Sequence, residues 1–112
     1  MAVRRGPAER GEVHLVRLDP TIGSEVRKTR PCLVVSPDEL NAHLRTVIVA
    51  PMTTGGHAYP WRIRCRFQSR AGFVALDQVR TVDGERLVRR LGRLSSATTT
   101  NALTTLQEMF EE

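Results

Sequence analysis

The run Trp61-Arg-Ile-Arg-Cys-Arg-Phe67 alternates apolar residues with arginines without a break. Successive side chains of a β-strand point to opposite faces, so the pattern predicts a strand with Trp61, Ile63, Cys65 and Phe67 on one buried face. Arg62, Arg64 and Arg66 then make the other face strongly basic. On parity alone, Trp61 belongs to the core with Ile63 and Cys65. A chain holding this strand needs a packed layer on one side only, and it offers cations on the other.

Other segments supply that layer. Glu12 to Leu18 reads as a first strand, broken by Asp19-Pro20-Thr21-Ile22-Gly23 and a charged loop from Ser24 to Arg30. Pro31 to Val35 is an apolar run of strand length, with Pro31 tolerated as its first residue. Ser36-Pro37-Asp38-Glu39 is a helix-start signature, with Ser36 as cap and Pro37 in the first position, for a short helix ending near His43. Thr46 to Met52 is β-branched and central in character, and a polar loop follows from Thr53 to Pro60. After Phe67, Ser69-Arg70-Ala71-Gly72 turns the chain into short strands at Phe73–Leu76 and Val79–Val82. Asp83-Gly84-Glu85 turns it again, into a segment over Leu87–Leu94 that fits either a strand or a helical turn. Ser96 is placed to cap a final helix reaching about Phe110, with Leu103, Leu106 and Phe110 on its buried face. Residues 1–9 read as a polar arm and residues 10–112 as one domain. The fold class is mainly β with helical additions, a small curled barrel closed by a terminal helix.

Composition narrows the function classes. With 112 residues there is room for one modest core, and at 4% aromatics it must be packed by Val, Leu, Ile and Ala. Seventeen basic residues against twelve acidic ones give a net charge of +5, and every basic residue except Lys28 is arginine. Arginine's planar fork suits phosphate oxygens, which favours a polyanionic partner. An arginine-favouring codon usage accounts for the same bias, so charge permits a nucleic acid or an acidic protein segment without choosing between them. Cys32 and Cys65 stand apart in apolar runs with no C-x-x-C pair, which predicts reduced buried thiols, no zinc site and a reducing, cytoplasmic setting. No apolar run approaches the roughly 18 residues of a membrane span, and residues 1–10 do not have the form of a signal peptide.

No familiar hydrolase motif is present: there is no G-x-S-x-G, H-E-x-x-H or P-loop. Polar residues at strand ends remain as candidates. Arg30 stands just before the second apolar strand and Thr53 just after the third. Taken singly, each has a plain reading: a surface arginine bonding a loop carbonyl, and a strand-end threonine bonding its own backbone. Asp77 alone reads as a turn-former or a partner for Arg80. His14, His43 and His57 fall in separate segments, and only His57 lies in a Gly-rich loop next to a candidate. Tyr59 and Trp61 offer rings on which a splayed base can stack, although the parity of Trp61 favours the core for it.

Four blocks, taken together, are specific. Arg10-Gly-Glu-Val-His-Leu-Val-Arg-Leu-Asp-Pro-Thr-Ile-Gly-Ser-Glu25, Thr29-Arg30-Pro31-Cys-Leu-Val-Val-Ser-Pro-Asp38, Val47-Ile-Val-Ala-Pro-Met-Thr53-Thr54-Gly-Gly56 and Leu76-Asp77-Gln78-Val79-Arg80-Thr81-Val-Asp83 resemble, in order and spacing, the MazF/PemK toxins. The resemblance implies an SH3-like (CcdB/PemK-type) barrel, working as a homodimer. It implies a metal-independent endoribonuclease that cuts single-stranded RNA, needs no cofactor and is neutralised by a cognate antitoxin with an acidic disordered tail. It makes Arg30 and Thr53 the catalytic pair, with Asp77 assigned a catalytic role in some members. Candidate RNA contacts are Glu25, Arg27, Lys28, Thr54, His57, Arg62, Arg64 and Arg80, with Arg66 and Arg70 adding charge. Two positions depart from some relatives: Ser24 stands where they carry His, and Ala75 where they carry Arg two residues before the Asp-Gln pair. A mechanism resting on those groups does not transfer. The implied products are a 2′,3′-cyclic phosphate and a 5′-hydroxyl end. Two other readings carry different residues: a CcdB-like gyrase poison, which needs no Arg30/Thr53 pair, and a non-catalytic RNA-binding barrel, which keeps only the basic face.

Overall fold

The computed structural model describes residues 6–18 and 28–112. Seven antiparallel strands form one curled sheet: β1 (Glu12–Arg17), β2 (Thr29–Val34), β3 (Thr46–Thr53), β4 (Arg62–Phe67), β5 (Arg70–Ala75), β6 (Arg80–Asp83) and β7 (Leu87–Arg93). Their spatial order is β4-β5-β3-β2-β1-β7, and β6 lies against the first half of β3. Helix α1 (Asp38–His43) joins β2 to β3, and α2 (Ser96–Met109) ends the chain. The segment over 87–94 is therefore a strand. The loop expected over 19–27, with Glu25 and Arg27, lies outside the described residues.

The central strands are buried on both faces, which is why they read as continuous apolar runs rather than alternating ones. Val13, Leu33 and Ala50 are register neighbours across β1, β2 and β3. On their face they join Ile63 and Val74, and α2 covers them with Ala102, Leu103 and Leu106. The opposite face packs Val16, Cys32, Val34 and Val49 against Ala8, Leu18 and Val82. Within the expected arm over 1–9, Ala8 is thus a core residue, and Glu9 pairs with Arg93 at 2.6 Å.

One polar cluster is buried with this second face. Glu12 accepts hydrogen bonds from the Glu9 backbone N–H (2.8 Å), from His14 Nε2 (3.0 Å) and from Arg90 Nε (2.6 Å). Burial pushes the Glu12 carboxyl up, but the bonds from His14, Glu9 and Arg90 outweigh it and hold the group below its ordinary range.

Four local expectations are corrected. Ser36 does not cap α1: Pro37 occupies the cap position. The Ser36 hydroxyl instead donates to Asn41 Oδ1 and accepts from the Ile48 N–H at 3.0 Å, tying the helix to β3. Ser95, not Ser96, caps α2 by accepting from the Thr98 N–H. Phe110 closes that helix at 75% exposure, outside the core. The turn after β4 is Gln68-Ser69, with φ of 51° and 66°, which lets β5 begin at Arg70 rather than Phe73. A two-residue turn with both residues at positive φ matches the twist of the flanking strands, so the hairpin adopts it without a glycine.

Candidate active site

Two prolines set up the cleft. The β2–β3 ladder runs from Val34–Val49 to Cys32–Pro51 and stops there. Beyond that point Pro31 and Arg30 pair only with β1, while Met52 and Thr53 pair only with β5. Proline cannot donate to a ladder, and with Pro31 and Pro51 at the stopping point the two strands splay apart. Between them lies a cavity of about 520 Å³. Lys28 and Arg30 line it from the β2 side, Thr53 and Thr54 from the end of β3, and Gln68 and Arg70 from the tip of the β4–β5 hairpin.

Arg30 and Thr53, assigned from opposite ends of two different runs, therefore face one space. The Thr53 hydroxyl donates to the Gly55 carbonyl at 3.1 Å. That bond makes Gly55 part of its orientation. Gly72 fixes the same corner from below: a Cβ there would lie 2.0 Å from the Thr53 carbonyl oxygen. Only glycine lets the end of β3 cross β5 this closely. Cys65 also lines the cleft; burial raises its thiol, and burial pushes that of Cys32 up to about 12. Both cysteines are free, Cys32 buried and Cys65 half-buried.

The remaining candidates are distributed around this centre. Asp77 sits in a 3-10 turn over Leu76–Gln78 and is not among the residues lining the cleft. Its carboxylate holds Arg62 in a two-pronged ion pair, Nε–Oδ1 2.7 Å and Nη2–Oδ2 2.8 Å. The hydrogen bond from Arg62 keeps the Asp77 carboxyl below the ordinary carboxylate range. Asp77 therefore partners Arg62, not Arg80. Arg80 donates to the Leu18 carbonyl at 3.2 Å, bracing the end of β1. Of the basic face, Arg64 and Arg66 are exposed whereas Arg62 is half-buried. The Arg64 guanidinium stands 5.6 Å from the centre of the Phe73 ring. Phe73 is the register partner of both Thr53 and Arg64, so the three form one row across the sheet. His57 packs its ring edgewise on Tyr59, 6.1 Å between centres. Trp61 leaves the core expected of it: β4 begins one residue later, and the indole is 39% exposed.

Gln68, Gly72 and Phe73 were not selected from sequence. Their signal lay in pairing register, which a single chain does not display.

Residues 9–110 match the family described as PemK-like, MazF-like toxin of type II toxin-antitoxin system. The chain belongs to this family. It is 37% identical over 123 residues to the Endoribonuclease PemK of Escherichia coli, with 86% of each chain covered. It is 34% identical over 116 residues to the Endoribonuclease toxin ChpB of E. coli K12, covering 97% of this chain and 99% of that one. In fold it superposes on MazF of Deinococcus radiodurans with a TM-score of 0.83, at 20% identity, over 94% of this chain and 97% of that chain. A mycobacterial endoribonuclease solved in complex with its cognate antitoxin matches with a TM-score of 0.75 and 25% identity, over 90% and 92% of the two chains. The MazF likeness bears out the expected barrel: a mainly β, curled antiparallel sheet with a C-terminal helix. Among the described residues no helix is long and apolar enough to cross a membrane.

Proposed function

We propose that this MazF/PemK-type toxin is an endoribonuclease that cleaves single-stranded RNA in the cleft between β2 and β3. The observation that carries the reading is the convergence of Arg30 and Thr53 on one cavity at the end of a proline-stopped ladder. The RNA supplies its own nucleophile, the 2′-hydroxyl, which attacks the adjacent phosphorus and expels the 5′-oxygen of the next nucleotide. A 2′,3′-cyclic phosphate and a 5′-hydroxyl end result.

Arg30 binds two non-bridging phosphate oxygens in its fork and offsets the charge that grows on them. The Thr53 hydroxyl turns from the Gly55 carbonyl to a phosphate oxygen and holds the group in line. Each such donor commonly contributes about 10²–10³ in rate. Arginine stays protonated at neutral pH, so arginine acts here as a donor and not the base; water in the open cleft takes the 2′-proton and returns a proton to the departing 5′-oxygen. Lys28 and Arg70 add positive charge at the rim, and Asp77 serves by fixing Arg62. Arg64, Thr54 and His57, with Glu25 and Arg27, extend the RNA contacts. With Arg30 carrying the charge stabilisation, the reaction runs without a metal ion, which cleavage in EDTA tests.

The enzyme works as a homodimer in the cytoplasm. A cognate antitoxin with an acidic disordered tail lies across the cationic cleft and blocks it, a match supported by the net charge of +5.

The test is incubation of the antitoxin-free protein with a long single-stranded RNA in EDTA, beside Arg30→Ala and Thr53→Ala. Discrete cleavage by wild type, reduced about a hundredfold or more in each variant, is the expected result. A folded wild-type protein that cuts none of several RNAs would sink the enzyme reading and favour gyrase poisoning or passive RNA binding.

A further inference from the structure

Tyr59 and Trp61 stack face to face at the end of the loop that begins at the candidate catalytic threonine. Their ring centres are 5.1 Å apart and their planes differ by 6°. Both are exposed, at 43% and 39%. The whole chain has one Trp, one Tyr and three Phe; two of these five rings are thus held at the surface of a core that is short of aromatics. Burial does not explain them, since neither joins either hydrophobic cluster.

The backbone around the pair is pinned. The Tyr59 carbonyl accepts from the Arg62 N–H at 2.9 Å, and the Trp61 carbonyl accepts from the Leu76 N–H at 3.1 Å. The next residue, Arg62, is clamped by Asp77, and two residues on, Arg64 presents an exposed guanidinium. A flat π surface on a pinned backbone, with the exposed Arg64 cation on the adjoining strand, fits an unpaired nucleobase attached to a phosphate chain. An acidic peptide would use the charge and leave the flat face without a counterpart.

We propose that the Tyr59–Trp61 stack is a base-stacking platform, on which a nucleotide of the RNA strand leaving the Arg30/Thr53 cleft lays its ring. This rests on the nuclease reading for the identity of the strand. It adds a contact that reads no base edge: the platform strengthens binding and orders the strand whatever the base, because every base has a π face.

Trp61 is the sole tryptophan, so its emission reports the site directly. The probe is a fully 2′-deoxy, single-stranded oligonucleotide of mixed sequence, which lacks the nucleophile and stays whole. A second probe has the same backbone with abasic sites throughout. The expected result is quenching of Trp61 by the first probe and not by the second. Tyr59→Ala and Trp61→Ala should weaken binding of the first about fivefold to a hundredfold, with Trp61→Phe restoring most of it. The abasic probe should bind all of these proteins alike.

Unchanged affinity of Trp61→Ala for the base-bearing probe overturns the platform, even if wild type cleaves RNA. Quenching with a weakened Trp61→Ala, in a protein that cuts nothing, keeps the platform and removes the nuclease. A fall of free Trp61→Ala to a smaller species in sedimentation would assign the rings to a second copy of the chain and overturn the proposal.

Discussion

Gly72→Ala isolates the position of Thr53 from its chemistry. Thr53 pairs with Phe73, and the chain after it crosses directly over Gly72. The added methyl would lie 2.0 Å from the Thr53 carbonyl oxygen, 3.0 Å from its carbonyl carbon and 3.3 Å from the Thr54 Cα. An ordinary separation of about 3.5 Å requires that corner to retreat by roughly 1.5 Å. All three obstacles are backbone atoms, so no rotamer change relieves them, and the Met52–Val74 pairing one residue back resists the shift. Overpacking of this kind costs about 1–3 kcal/mol, a fall in melting temperature of roughly 5–15 °C for a domain of this size. Displacing a substrate-positioning group by about 1 Å costs about a hundredfold in rate. Single-turnover cleavage and thermal melting, measured side by side, read the two effects separately. A Gly72→Ala protein that cleaves at the wild-type rate refutes the claim that β5 sets the Thr53 position, whatever its melting temperature does.

The Arg62–Asp77 pair should behave as one unit: Asp77→Asn and Arg62→Ala are expected to lose cleavage by similar factors, and the double variant to lose no more than either. Additive losses in that cycle would show Asp77 acting on its own. Because Arg62 lowers the Asp77 carboxyl, the pair is intact at and above the ordinary carboxylate range and breaks only as pH falls through the lowered value. Glu12→Gln should cost about 1–3 kcal/mol at pH 7 in urea denaturation, since it weakens three hydrogen bonds, one buried and two part-buried. The Glu12 value is also lowered, so its stabilisation is present above the ordinary glutamate range and lost as pH falls through the folded value; the gap between variant and wild type must close on acidification. Replacing Gln68-Ser69 by Asn-Gly is expected to stabilise the hairpin by about 1 kcal/mol, because both residues already sit at positive φ. An unchanged urea midpoint would argue against strain at that tip.

Local chemistry decided much of this protein before any folding was considered. The alternation over 61–67, the apolar runs of β2 and β3 and the helical spacing of Leu103 and Leu106 decided element types, since each depends only on neighbours a few residues away. Local punctuation put Arg30 and Thr53 at strand ends, and four spaced blocks made them the expected pair. Pairing between distant segments decided the rest. The stop at Cys32–Pro51 opened the cleft, Arg62 lay across from Ala75 and so beside Asp77, and β4 began late enough to free Trp61. Parity along one strand says which side a residue faces; it does not say whether anything covers that side. Phe110 and Trp61 were both misplaced for that reason, and Gly72 passed unnoticed because the atom it must avoid belongs to another strand. Hydrophobic periodicity is written along the chain, whereas register and coverage exist only once strands far apart in sequence meet.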